Sequence, residues 1–199
     1  MKIIGAIIAG GQSRRMEGRE KAFLQLRGKT LLDWVSERLA PQVDQLVINA
    51  NGDPGRFAKW ELQLVSDEAP DLSTPLAGLH ASLQFAASNK ADFLITCPSD
   101  APFLPHDLVK RLVAAAQSTG AAIASSSRQS HFLTGAWSSD LLARLEHAIQ
   151  DTGVFRVKDW VSLIPAAIVE WQAVSHDPFF NVNTPQDLAQ AEIIAGKVS

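Results

Sequence analysis

Ile3-Ile4-Gly5-Ala6-Ile7-Ile8-Ala9-Gly10-Gly11 leads directly into Gln12-Ser13-Arg14-Arg15-Met16-Glu17-Gly18-Arg19-Glu20-Lys21. An apolar run is followed by a glycine pair and then by a basic loop. Ile3–Ile8 reads as a buried strand. The glycines let backbone approach an anion closely, and successive free N–H groups form a concavity that suits phosphate. Arg14, Arg15 and Lys21 are placed to neutralise charge that builds on phosphates during transfer. The competing reading is a solvated turn that happens to carry basic residues. An abutting buried strand with these cations inside eight residues favours a polyphosphate site. The spacing is neither the P-loop pattern, with Lys-Ser/Thr after its last glycine, nor G-x-G-x-x-G.

Outward from this stretch, apolar runs of strand length alternate with helical patterns. Leu46–Ile48 and Leu62–Val65 read as the next strands, with a helix over Lys29–Ala40 that stops before Pro41. Pro75 opens a helix to about Ser88, since proline is tolerated in a first turn. Phe93–Cys97 and Ala121–Ser125 are further strands, separated by a helix from Pro105–Leu108 to about Gln117. Phe132–Trp137 reads as an antiparallel strand, and Asp140–Gln150 and Arg156–Val161 as helices. Ile164–Val169 and Phe179–Val182 look extended, and Thr184-Pro185-Gln186-Asp187 starts the last helix. Continuous apolar strands between helices predict a mostly parallel twisted sheet covered on both faces, a three-layer α/β/α sandwich. No linker, repeat or low-complexity stretch divides the chain, so residues 1–199 are read as one domain.

Composition narrows the function. At 199 residues and 46% hydrophobic content the chain carries a full globular core. The net charge of -3, with no basic stretch beyond the N-terminal loop, argues against nucleic acid as a partner. One cysteine, Cys97 in an apolar run, excludes an internal disulfide and a Cys-rich metal centre, and is read as a small core residue. Met1-Lys2 leads straight into the first strand, which is too short for a signal peptide, and no run reaches membrane-spanning length. A cytoplasmic protein with no membrane partner is expected.

In a parallel sheet, ligands bind at the carboxyl ends of the strands. The turns there carry Gly10-Gly11, Asn49, Asp67 and Asp100, so all four are predicted to meet along one edge. Asp100, in Pro98-Ser99-Asp100-Ala101-Pro102, is either a Mg²⁺ ligand or a turn and capping residue, and the neighbouring phosphate loop favours the metal. Asn181 and Asn183 lie two residues apart on one side of an extended segment. They either orient a substrate phosphate or complete a metal shell, or else serve local capping. Asn49 and Asp67 either read a base or stabilise their turns; a carboxylate suits the N1–H and N2–H₂ edge of guanine. His131 and His176 lack metal-ligand spacing and read as surface or substrate-facing residues, and the scattered tryptophans as core.

Ala9-Gly10-Gly11-x-Ser13-x-Arg15-Met16 with Lys21 resembles the signature of small sugar-nucleotidyltransferase-like enzymes. Asn49-Ala50-Asn51, Asp67, Pro75-Leu76-Ala77-Gly78, Pro98-x-Asp100-x-Pro102 and Asn181-Val182-Asn183-Thr184-Pro185 narrow the likeness to the molybdenum cofactor guanylyltransferase family, in order along nearly the whole chain. The resemblance implies a Rossmann-like nucleotidyltransferase fold, Mg²⁺, GTP as donor, and molybdopterin carrying molybdenum as acceptor. It also implies contacts with other cofactor-biosynthesis proteins and with the molybdoenzymes that receive the product. By position, Ile8, Ala9, Gly10 and Lys21 would hold GTP, Asn49 and Asp67 would complete nucleotide recognition, and Asp100 would bind GTP through Mg²⁺. Arg15 and Lys21 would neutralise charge, and Asn181 and Asn183 would face the acceptor or phosphates.

Three positions depart from the family pattern: Glu17 follows Arg-Met in place of Gly, Thr74 precedes Pro-Leu-x-Gly in place of Gly, and Phe132 follows His131 in place of Pro. The rival readings are a cytidylyltransferase acting on molybdopterin and a catalytically degenerate GTP-binding adaptor. A dinucleotide-binding oxidoreductase is discounted for want of its glycine motif.

Overall fold

The computed structural model describes residues 1–10, 20–67 and 74–198. Arg14, Arg15 and Glu17 lie outside the described residues. β1 (Ile3–Ile8) is flanked by β4 (Gln45–Asn49) and β6 (Phe93–Pro98), and β5 (Gln63–Val65) lies beyond β4, all parallel. β8 (Gln129–Ser138) joins β6 antiparallel, and β7 (Ala121–Ser126) and β9 (Ala166–Trp171) complete the order β5-β4-β1-β6-β8-β7-β9. The mostly parallel sheet predicted from the apolar runs is present, and β8 is the antiparallel member, as its position predicted.

Both faces are covered. Successive side chains of a strand point to opposite faces: Ile7 packs with α1 (Leu31–Leu39) and α3 (Leu108–Thr119), whereas Ile4, Ala6 and Ile8 pack with α2 (Pro75–Ser88), α4 (Leu142–Thr152) and α5 (Val157–Val161). This two-sided burial explains why β1 has no polar alternation. Cys97 and Trp137 are fully buried in these layers, as core residues. A third cluster joins α6 (Pro185–Val198) to Leu26, Leu31, Trp34 and Phe103. No described helix is long and apolar enough to cross a membrane.

Two expectations change. The helix predicted over Lys29–Ala40 begins at Leu31, because β2 (Gln25–Leu26) and β3 (Lys29–Thr30) form a hairpin around Arg27 and Gly28, whose φ angles are 51° and 78°. Paired positive φ angles make the two-residue turn that matches strand twist. Thr30 then caps α1: its hydroxyl accepts from the Asp33 N–H at 3.0 Å, and Asp33 accepts from the Thr30 N–H at 2.8 Å. Phe179–Val182 is not a strand. Phe180 N–H closes a turn onto the Asp177 carbonyl at 3.1 Å, and Val182 N–H donates to the Asp100 carbonyl at 2.9 Å. The segment is fixed to the β6 turn by that bond and by the buried side chains of Phe179 and Val182.

Candidate active site

The carboxyl ends of β1, β4, β5 and β6 come together. Asn49, the last residue of β4, donates through Nδ2 to the Val65 carbonyl at 3.1 Å and to Asp67 Oδ1 at 2.8 Å. Asn51 donates to Asp67 Oδ2 at 2.8 Å and accepts from the Asp67 N–H at 2.9 Å. Both carboxylate oxygens of Asp67 thus take amide hydrogens, which fixes its orientation while leaving lone pairs for a ligand. Behind it, Arg56 donates to the Asn51 carbonyl at 2.6 Å and to the Asp53 carbonyl at 3.0 Å, and pairs with Glu20. Asn49 Oδ1 lies so close to α2 that a Cβ on Gly78 would stand 2.3 Å from it. Glycine at position 78 lets the helix and the Asn49 amide share that space.

The β1 turn meets the β6 turn beside this network. Ser99 N–H donates to the Ile8 carbonyl at 3.1 Å, and Ala9 N–H to the Asn49 carbonyl at 2.8 Å. Gly10 N–H has no partner among the described residues. Lys21 Nζ sits 2.9 Å from Asp100 Oδ2 and also donates to Asn183 Oδ1. One ammonium therefore ties together residues 79 and 162 positions distant in the chain. Asn183 is itself held by its N–H, which donates to Asp187 at 2.9 Å within the cap of α6.

Asp100 stands on the border of two clefts. Ile8, Ala9, Gly10, Lys21, Pro75 and Ser99 line the first, and His131, Phe132, Phe179, Asn181 and Asn183 the second; Pro98, Asp100 and Leu133 belong to both. The second cleft opens because β8 leaves β6 after the pair Thr96–Gly135. On its other side the β7 pairing jumps from Ile123–Gly135 to Ala124–His131, a bulge that frees Phe132, Leu133 and Thr134. Gly135 is required at that point, since a Cβ there would lie 2.8 Å from the Ala122 carbonyl oxygen. Thr96 braces the bulge: its hydroxyl accepts from Trp137 Nε1 at 2.9 Å and donates to the Leu133 carbonyl at 2.8 Å.

The side-chain oxygens at this border include Asp100 Oδ1 and Asn181 Oδ1, the latter buried without a partner among the described residues. No set of three or more His, Cys, Asp and Glu gathers among the described residues. Few, hard oxygen donors fit a cation that completes its shell from phosphate and water, and do not fit a closed zinc site.

The sequence profile of the MobA-like NTP transferase domain matches residues 5–164. A protein of Bradyrhizobium sp. (strain ORS 278) named molybdenum cofactor guanylyltransferase is 44% identical over 195 residues, 96% of this chain and 92% of its own. The chain belongs to the molybdenum cofactor guanylyltransferase family. It is a family of nucleotidyltransferases. The crystal structure of molybdopterin-guanine dinucleotide biosynthesis protein A from Archaeoglobus fulgidus superposes with a TM-score of 0.75 at 25% identity, covering 98% of this chain and 99% of that one. The 2-C-methyl-D-erythritol 4-phosphate cytidylyltransferase of Thermus thermophilus shares the fold at TM-score 0.73 and 22% identity, covering 98% and 100%.

Two departures from the family pattern acquire a structural setting. Thr74 caps α2: its carbonyl and hydroxyl both accept from the Ala77 N–H, at 3.0 and 3.4 Å. Phe132 lines the second cleft with Lys158 Nζ 6.0 Å from its ring centre. Glu20 and Arg56 carry no local sequence signal, because their pairing joins positions 36 residues apart. Nor do Ser126 and Asp177, which flank His131: Ser126 Oγ is 2.7 Å from His131 Nε2 and 2.7 Å from Asp177 Oδ1. Burial lowers the His131 pKa from its usual value, against the opposing pull of Asp177 and Glu170.

Proposed function

We propose that this chain transfers GMP from GTP to the terminal phosphate of molybdopterin, giving molybdopterin guanine dinucleotide and pyrophosphate. The observation that carries the reading is the position of Lys21 and Asp100 at the border of two clefts, in a chain closely related to a named guanylyltransferase. The first cleft would hold the triphosphate against Gly10 and Lys21, with the base toward Asn49 and Asp67. The second would hold the acceptor against Asn181 and Asn183.

With each substrate in its own cleft, the acceptor phosphate oxygen attacks the α-phosphorus in line and pyrophosphate leaves. A phosphate nucleophile is already ionised, so no general base is needed. The chain contributes positioning and charge neutralisation. Lys21, held by Asp100 and Asn183, brings a cation to the reacting phosphates, and Arg15 would supply a second. Gly10 offers its N–H to a phosphate oxygen. Asp100, with oxygens of the substrates, would hold Mg²⁺, whose chemistry is to neutralise the phosphates and the leaving pyrophosphate. Asp67, its carboxylate oriented by two asparagine amides, suits the N–H donors of guanine. Proteins that deliver molybdopterin and receive the dinucleotide are the partners this activity requires.

The test is a nucleotide panel with purified protein, Mg²⁺ and molybdopterin, following pyrophosphate and dinucleotide. Product from GTP is expected. Product from CTP alone would overturn the base assignment, and GTP binding without product would point to an adaptor.

A further inference from the structure

His131 lies on the wall of the second cleft with one ring nitrogen committed. Ser126, fully buried on β7, has a single hydroxyl proton, and Asp177 Oδ1 at 2.7 Å takes it. Asp177 Oδ1 also accepts the Phe179 N–H at 2.9 Å, so this oxygen acts only as an acceptor. The Ser126 oxygen must then receive its bond at 2.7 Å from His131, which puts a proton on Nε2. The neutral ring is left with a lone pair on Nδ1. That atom has no partner among the described residues and is not one of the buried unpaired atoms. The ring is braced on its face by Phe179, with centres 4.8 Å apart, and Phe179 is braced edge-on by Trp171.

The arrangement is not that of a nucleophilic serine. The hydroxyl lies between the acid and the imidazole, its proton is committed to the carboxylate, and it is sealed from the cleft. The ring nitrogen left over is Nδ1, on a residue that lines the cleft. On the same wall, Asn181 Oδ1 is buried without a donor. Asn181 Oδ1, a buried acceptor with no donor among the described residues, is costly unless a ligand's N–H meets it, and the Nδ1 lone pair belongs to a residue lining the same cleft.

We propose that His131 is a specificity-determining residue for the acceptor substrate, its Nδ1 lone pair taking a hydrogen bond from an N–H of the acceptor's heterocycle beside Asn181 Oδ1, with Ser126 and Asp177 as positioning residues that fix the proton on Nε2. This rests on the guanylyltransferase reading, in which the acceptor carries a pterin, a ring with N–H donors. The charged groups acting on the imidazole are Asp177, which precedes the Phe179 turn, and Glu170 on β9. Both are anionic, and an N–H donor is the complement to the neutral ring they surround.

The experiment compares wild type with His131→Ala, His131→Asn and Ser126→Ala. It measures KM for molybdopterin, KM for GTP, and equilibrium binding of a free pterin followed by tryptophan fluorescence. Truncation to alanine is expected to raise the acceptor KM and weaken pterin binding about tenfold or more, with the GTP KM unchanged as the check on folding. Asparagine, whose side-chain oxygen approximates the Nδ1 position, should recover part of the loss. Ser126→Ala, which frees the ring to exchange tautomers, should raise the acceptor KM by a smaller factor. An acceptor KM unmoved by His131→Ala, or one that rises in step with the GTP KM, overturns the inference while the function stands. No product from GTP in the wild type overturns the function and, with it, the assignment of His131 to an acceptor substrate.

Discussion

At the scale of single residues, the site depends on a few side chains whose surroundings leave them one orientation. Lys21 is the clearest: two acceptors from different parts of the chain hold its ammonium at the cleft border. Lys21→Ala and Asp100→Asn are each expected to lower turnover by about a hundredfold or more, as removal of a preorganised charge does. Pyrophosphate release at saturating GTP and acceptor measures this, and activity within a few-fold of wild type would remove either residue from the mechanism. Both were legible in the sequence, since each follows a recognisable strand end. Glu20, Arg56, Ser126 and Asp177 were not, because their partners lie 36 and 51 positions away and nothing local marks them.

At the scale of elements, the antiparallel strand β8 makes the second cleft by leaving its neighbour. Thr96 holds that departure in place with one hydroxyl serving two partners. Thr96→Val keeps the shape and removes both bonds, leaving the Trp137 indole N–H buried and unpaired. A loss of about 1–3 kcal/mol is expected, read from denaturant midpoints at unchanged slope, together with a raised acceptor KM from a loosened Leu133. A variant as stable as wild type would show that the bulge is held by packing alone. Apolar runs announced β8 and the parallel strands well. The β2–β3 hairpin was missed because its strands are two residues long, too short for any periodicity, and only the Arg27-Gly28 turn betrays them. Phe179–Val182, read as extended, holds a turn at Phe179, and its apolar residues are buried by docking on Asp100, which no local pattern reveals.

At the scale of the whole molecule, the two half-buried histidines tie stability to pH. Burial lowers the His131 pKa below its usual 6.5, and burial together with Arg38 lowers that of His176. The unfolded chain therefore binds more protons near and below that value, and stability rises with pH. The contribution is complete above the unfolded value and is lost as pH falls through the depressed folded ones. Asp33 acts in a separate, more acidic window: burial raises its pKa, but hydrogen bonds from Lys59, Thr30 and Trp60 outweigh this and hold it below 3.8. Melting temperature should fall between pH 7.5 and 5.5, by the linkage just given, and His131→Gln with His176→Gln should flatten that slope. An unchanged slope in the double variant would assign the acid sensitivity elsewhere.

Local sequence was enough to mark the strands of the main sheet and most of the helices, the two-sided burial of that sheet, and the strand-end positions of Gly10, Asn49, Asp67 and Asp100, because each is encoded within a few neighbouring positions. Folding in three dimensions settled which of those ends face one another, how Asp67 and Lys21 are oriented, that a bulge opens a second cleft, and that Ser126 and Asp177 stand beside His131. Those properties depend on contacts between residues far apart in the chain, and hydrogen-bond geometry exists only once the sheet has brought them within reach.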